Sequence, residues 1–383
     1  MEQVIVVNDD HDAKWLRRKR KPVSGQLPAS KVRMIDLFSG CGGISLGIEA
    51  ACSELNIQLE PVLAWDIFEA ATQVYERNFP GVSIRSEPIE NIIDGERGMP
   101  PTENEQAFIK QIGEIHLIVG GPPCQGNSNL NNHTRGTDDR NLLYLRMARM
   151  IEILSPTYAI IENVAGVRRA QQDVVSETND WLESIGYSTV EGLINGQNVG
   201  VAQMRKRHFT IASKSNELVM EDFQQRKGLD PRPISWAIHD LLDVYDEDDV
   251  LNSASKAKGV NQSRMNYLIE NEIHNLPSEL RPKCHQKYEE HGPTGNTYPA
   301  VYGRMYWDRP APTITTGYSC NGRGRFVHPK LPRCLTVREA ARVQSFPDYF
   351  DFSGQKRTSL NRMIGNAVPP LMAKHITLAL LGP

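Results

Sequence analysis

The stretch IHLIVGGPPCQGNS, residues 115–128, decides how the rest of the chain is read. Ile115, Leu117, Ile118 and Val119 form a short apolar run closed by Gly120 and Gly121, the pattern of a buried strand. Pro122 and Pro123 fix φ and cannot extend a hydrogen-bonded ladder, so the chain must leave the sheet in a stiff turn. That turn carries one thiol, Cys124, beyond the carboxyl end of a strand, where open α/β sheets bind ligands. On this stretch alone, a nucleophile and a small inert core cysteine are equally good readings.

Working outward, strands and helices alternate. Val32–Phe38 reads as a strand, Ile44–Leu55 as a helix, Pro61–Ala64 as a strand, Phe68–Asn78 as a helix and Val82–Ile84 as a short strand. Ile93–Gln106 is polar and broken by Pro and Gly, and is expected to be a surface loop. Beyond the opening stretch come a helix over Leu142–Leu154, a strand at Tyr158–Ile161 and a helix over Val174–Ile185. Strands follow at Ser188–Leu193 and His208–Ala212. Such alternation needs crossovers and gives an α/β fold with a mainly parallel, doubly wound sheet. The pattern breaks after Ser213 into a loop-rich region with a helix near Ser235–Leu242, and helices return at Thr336–Gln344 and Leu371–Leu381.

The bulk composition narrows the class. Hydrophobic residues make up 39% of the 383-residue chain and charged residues 23%, which describes an ordinary globular protein. No apolar run is long enough to span a bilayer and no signal-peptide pattern opens the chain, so no membrane partner is expected. The six cysteines include no C-x-x-C pair and no His cluster completes a zinc spacing, so neither a metal nor a disulfide framework is expected. A net charge of −3 does not mark a nucleic-acid binder. The basic run Lys14, Arg17, Arg18, Lys19, Arg20, Lys21 offers contacts to phosphates, but a run near a terminus is more often a solvated tail. Residues 1–30 are accordingly expected to form a flexible extension.

Four further motifs bear chemistry. Asp36-Leu37-Phe38-Ser39-Gly40-Cys41-Gly42-Gly43 ends one strand and opens a helix, so its glycines and free N–H groups suit a close-lying ligand. It is neither G-x-G-x-x-G nor a P-loop. Asp66, at the end of the next strand, can accept from ribose hydroxyls or cap the following helix. Together they suit a nucleoside cofactor without a pyrophosphate, such as S-adenosylmethionine. Glu162-Asn163-Val164 brings a carboxylate to the sheet edge that holds Cys124, a pairing that suits attack on an electron-poor ring with proton donation to its nitrogen. In Gln203-Met204-Arg205-Lys206-Arg207, strand-like alternation points Gln203, Arg205 and Arg207 one way, towards a carbonyl or phosphate, unless the run is only a charged edge strand.

The order SGCGG, GGPPCQG, ENV, QMRKR, RCLTVREAARVQSFPD and GNAVPP resembles that of the DNA (cytosine-5)-methyltransferases. The likeness runs from about Val32 to the C-terminus, except for the variable stretch after Ser213. It implies the Rossmann-like fold of S-adenosylmethionine-dependent methyltransferases with a smaller, irregular target-recognition domain. The catalytic domain would be 31–213 plus 355–383, and the recognition domain 214–354. By resemblance, Phe38, Ser39, Gly40, Gly42, Asp66, Ile67, Leu143, Asn366 and Val368 hold S-adenosyl-L-methionine. Cys124 attacks C6 of a flipped cytosine, Glu162 serves N3, Arg207 binds O2, and Arg205 supports the nucleophile loop. Gln125, Ser128, Gln203 and Thr313 belong to the DNA-facing set, with Gln125–Leu130 as a moving loop. Arg281, Lys283, Arg304, Arg323 and Arg325 are candidate phosphate or guanine contacts.

The sequence departs from the family pattern in two places. Pro88-Ile89 stands where an Asp-Ile pair is common, with Glu87 as a stand-in, and Ala367 replaces a hydroxyl residue. The implied enzyme is prokaryotic and cytoplasmic, at the nucleoid when acting, and monomeric on double-stranded DNA. It would serve regulatory methylation or a restriction-modification system with a cognate endonuclease. An RNA cytosine-5 methylase and a catalytically silent DNA-binding homologue are the alternatives.

Overall fold

The computed structural model describes residues 10–22, 28, 30–123, 142–167, 174–286 and 300–382, apart from the side chains of Leu142 and Cys284. Seven strands form one sheet: β1 (Ser30–Leu37), β2 (Ile57–Trp65), β3 (Ser83–Arg85), β4 (Leu117–Gly120), β5 (Tyr158–Val164), β6 (Ser188–Asn195) and β7 (Lys206–Ser213), in the order β3-β2-β1-β4-β5-β7-β6. The pairs among β1 to β5 are all parallel, while β7 runs antiparallel to both β5 and β6. The central parallel strands β4 and β5 are apolar over most of their length, as strands covered on both faces are. All four residues of β4 are buried.

The described residues divide into two compact units. The sheet unit comprises 23–199, 206–229 and 367–383, and the second unit comprises 1–22, 200–205 and 230–366. These divisions differ from the boundaries the sequence suggests. Residues 355–366 group with the second unit and 214–229 with the sheet. The QMRKR run is cut between Arg205 and Lys206.

Within the sheet unit, the helix Gly43–Glu54 packs on the helix Pro370–Leu381. Gly47 makes the approach possible, since a Cβ there would lie 2.2 Å from the Pro370 carbonyl oxygen. The C-terminal segment is thereby held beside the helix that follows β1. The core joins Ile35, Leu37, Leu63, Ile118, Met147, Ile151, Ile161 and Leu182 among others. Each such side chain contributes on the order of 1.5–3 kcal/mol by leaving water.

The 93–106 region departs from the loop expected of it. A helix runs over Glu103–Ile112, opened by a capping box between Thr102 and Glu105. Its signal, Thr followed three residues later by Glu, sits next to Pro100 and Pro101, and the prolines obscured it. Glu105 is fully buried and also binds the Arg149 guanidinium at 3.1 and 2.7 Å, which ties this helix to Leu142–Leu154.

The second unit has little regular structure beyond helices at His11–Leu16, Val260–Glu270, Val337–Val343 and Arg357–Asn366. Two of these, Val260–Glu270 and Arg357–Asn366, fall where the sequence shows no strong periodicity. Side chains that hydrogen-bond backbone carbonyls replace ladders there. The residues 10–22 are not the solvated tail expected of them, because Leu16 is fully buried. Within the run, Lys14 and Arg18–Lys21 are exposed and Arg17 is half-buried. Among the described residues no helix is long and apolar enough to cross a membrane.

Candidate active site

Register brings the site together. Leu37 of β1 pairs with Trp65 of β2 and with Gly120 of β4, and Gly120 pairs with Ile161 of β5. The next residues on these four parallel strands are Phe38, Asp66, Gly121 and Glu162, which therefore line up along one carboxyl edge of the sheet. Residues far apart in the chain meet there because each crossover returns to the same edge.

At the β5 end, the Glu162 carboxylate receives the Arg207 guanidinium, with Nε 2.8 Å from Oε1. The side chains retain only 15% and 11% exposure, so the pair is largely shielded from solvent. Burial pulls the Arg207 pKa below its ordinary value, and the Glu162 charge and hydrogen bond oppose that shift. Gly121 lets the carboxylate come close, since a Cβ there would stand 2.8 Å from Glu162 Oε2 and the side chain would have to shift. Asn163 donates from Nδ2 to the Pro122 carbonyl oxygen at 3.2 Å, and Gly121 N–H donates to the Leu37 carbonyl at 3.3 Å. The Gly-Pro-Pro turn is thus fixed beside the carboxylate up to Pro123. Cys124, Gln125 and Ser128 lie outside the described residues, as does the whole Gln125–Leu130 segment.

At the β1 end, Phe38, Gly40 and Gly42 have φ of 54°, 53° and 91°, so the loop curls through left-handed backbone. A Cβ at Gly42 would lie 2.8 Å from the Phe79 ring. Asp66 ties the loop to β2: its Oδ2 accepts from Gly40 N–H at 2.8 Å and its Oδ1 from Phe68 N–H at 2.7 Å. The cap and ligand readings of Asp66 are therefore compatible, because the bonds that fix the carboxylate also shape the loop. Ile67, next in sequence, is 71% exposed at the mouth of this loop. Leu143 and Phe38 are partly buried against the core.

Asp36 was not singled out by sequence, although a carboxylate inside the apolar run VRMIDLF was the available signal. It is fully buried, and Oδ2 accepts from Ser45 Oγ at 2.6 Å, while Ser45 Oγ is 2.7 Å from the Tyr75 hydroxyl. Among the described residues Asp36 Oδ1 and Ser39 Oγ have no hydrogen-bond partner. Buried polar atoms left so carry a cost that a polar ligand would relieve, and a polar nucleoside cofactor with an amino acid end fits such a loop.

Burial raises the Asp36 pKa to about 7; the Ser45 hydrogen bond opposes this and repulsion from Asp66 adds to it. A folded-state pKa above the unfolded value gives stability that is present in acid and lost as pH rises through about 7. Asp36→Asn should therefore gain melting temperature relative to wild type by a few degrees between about pH 4 and pH 7. Parallel melting curves across that range would show that the carboxyl ionises freely.

Other sequence candidates occupy different places. Arg205 is fully buried in the second unit, where it donates to the carbonyl oxygens of Ile314 (2.9 Å), Gly365 (3.1 Å) and Asn366 (3.2 Å). It clamps the PTITT run to the end of the helix Arg357–Asn366. Gln203, also fully buried, donates to Gln344 Oε1 at 2.9 Å and accepts from Ile314 N–H at 2.7 Å. Its amide is committed to the fold of its own unit rather than offered to DNA. The expected alternation does hold, with Gln203 and Arg205 buried and Met204 and Lys206 exposed. Thr313 donates to the Met204 carbonyl at 3.0 Å.

Asn366 has an exposed side chain at the helix end, while Val368 is buried in the sheet unit. Glu87 spends its carboxylate on Arg85 at 2.8 Å and on the Ser86 N–H at 3.2 Å, and Ile89 is core. Of the five candidate DNA contacts, Arg281, Arg304 and Arg325 instead donate to backbone carbonyls, whereas Lys283 and Arg323 are exposed. No group of three or more His, Cys, Asp or Glu among the described residues is placed to hold a metal.

Comparison with known proteins agrees with the geometry. The family model of C-5 cytosine-specific DNA methylases matches residues 32–381. The chain is 43% identical to Type II methyltransferase M1.BsuMI of Bacillus subtilis over 368 residues, covering 96% of this chain and 84% of that protein. It is 30% identical to Type II methylase M.HgiDII of Herpetosiphon aurantiacus, over 90% of this chain and 93% of that one. Among solved structures, a prophage-encoded E. coli protein assigned as a DNA modification methyltransferase superposes with a TM-score of 0.63 at 26% identity, covering 91% and 98% of the two chains. The chain belongs to the C-5 cytosine-specific DNA methylase family, the DNA (cytosine-5)-methyltransferases.

Proposed function

We propose that this enzyme flips a target cytosine out of duplex DNA, adds the Cys124 thiolate to C6 and methylates C5. The observation that carries the reading is the Glu162–Arg207 pair, fixed against Gly121 three residues before Cys124. S-adenosylmethionine, held by the 38–42 loop, Asp66, Ile67, Leu143, Asn366 and Val368, supplies an electrophilic methyl group. C5 of cytosine is a poor nucleophile, and thiolate addition at C6 converts the ring to an enamine that can use it. Glu162 donates a proton or hydrogen bond to N3, which offsets the charge that develops during addition. Arg207 holds that carboxyl group in place and reaches O2 of the base. Loss of the C5 proton then expels the thiol and restores the aromatic ring.

Flipping costs on the order of a few kcal/mol of stacking and pairing, which contacts from Gln125 and Ser128 would offset. Arg205 acts through the second unit, as a positioning residue that ties Ile314 to Asn366. That unit, which contains Thr313, would read the target sequence. The likeness to type II methyltransferases supports a place in a restriction-modification system beside a cognate endonuclease.

Duplex DNA carrying 5-fluorocytosine at the target should form an enzyme–DNA complex that survives denaturation, because fluorine at C5 blocks the elimination. The readout is a shifted band in a denaturing gel, present only with cofactor. A correct site with cofactor and no adduct would rule out the covalent route.

A further inference from the structure

We propose that Arg18, Lys19, Arg20 and Lys21 form an anchored strap that grips the phosphates of duplex DNA outside the target base. The strap precedes residue 32, where the family match begins, so it stands apart from the shared catalytic machinery. It nevertheless has a built foundation within the second unit. Asp10 caps the helix His11–Leu16 by accepting from Asp12 and Ala13 N–H, both at 3.1 Å. The same carboxylate accepts from Arg232 at 3.0 Å and from the Trp236 indole at 2.6 Å. Asp12, almost wholly buried, pairs with Arg232 at 3.0 Å, and the Arg232 guanidinium lies 4.1 Å from the centre of the Trp236 ring. Leu16 is fully buried, and its carbonyl accepts from Asp348 N–H at 3.0 Å.

The cations of this run are sorted by task. Arg17 turns inward, donating to the Trp236 carbonyl at 2.5 Å and pairing with Asp240 at 3.2 Å. The next four residues are all exposed. Of these, Arg18, Lys19 and Arg20 have no hydrogen bond or ion pair from their side chains among the described residues. Consecutive unneutralised cations on a chain with net charge −3 carry a repulsion that needs a reason. A polyanion relieves it, and the family's substrate is one. A free tail would lose much of the gain to ordering, whereas this strap is already held at its amino end. Among the described residues no neighbouring group fixes the plane of the guanidinium groups of Arg18 or Arg20, so the contact positions DNA without reading bases.

The inference deepens the DNA-methylating role, and its test separates the two. Binding of the full chain to a mixed-sequence duplex of about three helical turns is followed by fluorescence anisotropy while salt is raised. Each phosphate contact contributes a slope of about 0.9 in log K against log salt. Replacing all four residues by Gln should lower that slope by about 3.6 and weaken binding about a hundredfold near 50 mM salt, with the gap closing towards 200 mM. The charge-conserving variant R18K/K19R/R20K/K21R should keep the wild-type slope. An unchanged slope in the Gln variant, or an equal loss in the charge-conserving one, overturns the proposal. Wild-type methylation of plasmid, read by bisulfite sequencing, reports on the catalytic reading independently of either slope.

Discussion

Cys124→Ala should bind DNA as wild type does and lose methyl transfer by at least about four orders of magnitude, the scale seen when a covalent enzyme loses its nucleophile. In the proposed mechanism the thiol supplies a bond, not a contact, so neither Glu162 nor Arg207 would substitute for it. Bisulfite sequencing of plasmid from cells expressing the variant should find every target cytosine converted and none protected, while gel-shift affinity stays within about twofold of wild type. Retained methylation would sink the covalent mechanism and restore the bland reading of the Pro-Pro-Cys turn. Equal loss of DNA binding would instead mark Cys124 as part of the DNA grip.

The second large effect is expected at Glu162. Glu162→Gln keeps the shape but removes both the proton and the charge that the pair with Arg207 depends on. Methyl transfer should fall about a thousandfold, within the range for loss of a positioned acid. Stability should fall too, by about 3 kcal/mol, because Arg207 is left as a desolvated cation without its carboxylate. The two effects can be parted. Combining Glu162→Gln with Arg207→Met removes the orphaned charge, so the melting temperature should recover while turnover does not. Recovery of both would mean that Glu162 serves only to neutralise Arg207; recovery of neither would mean that the pair holds the β5–β7 edge in a way charge alone does not explain.

Much of the sheet unit was legible in the sequence because its central strands are buried on both faces and most of its helices are amphipathic. Hydrophobic runs and periodicity then report the same elements that packing selects. The helix Leu142–Leu154 falls at the expected boundaries, and the other sheet-unit helices assigned from sequence and the strands lie within a few residues of expectation. The helix Glu103–Ile112 was missed where a capping box competes with two prolines. The second unit was not legible in the same way. Its order rests on single donors such as Arg205, Arg304 and Arg342, each serving carbonyls or carboxylates remote in sequence. An arginine spent on a backbone carbonyl and an arginine waiting for a phosphate look alike in a sequence.

The sequence by itself determined the chemistry on offer: a thiol after Gly-Gly-Pro-Pro, a carboxylate after an apolar strand, a glycine-rich turn and an acid one strand later. Order and residue type suffice for that, because reactivity resides in functional groups and the family keeps their order. Only the tertiary structure decided which of these groups stand together. Parallel register put Phe38, Asp66, Gly121 and Glu162 on one edge. It paired Glu162 with Arg207, buried Gln203 and Arg205 elsewhere, and buried the Asp36 carboxyl beneath the glycine-rich loop, where its pKa is raised to about 7. It also turned a basic tail into an anchored strap. Burial and hydrogen-bond partnership are properties of neighbours in space, and those neighbours are fixed by crossovers and long-range packing that no local stretch of sequence encodes.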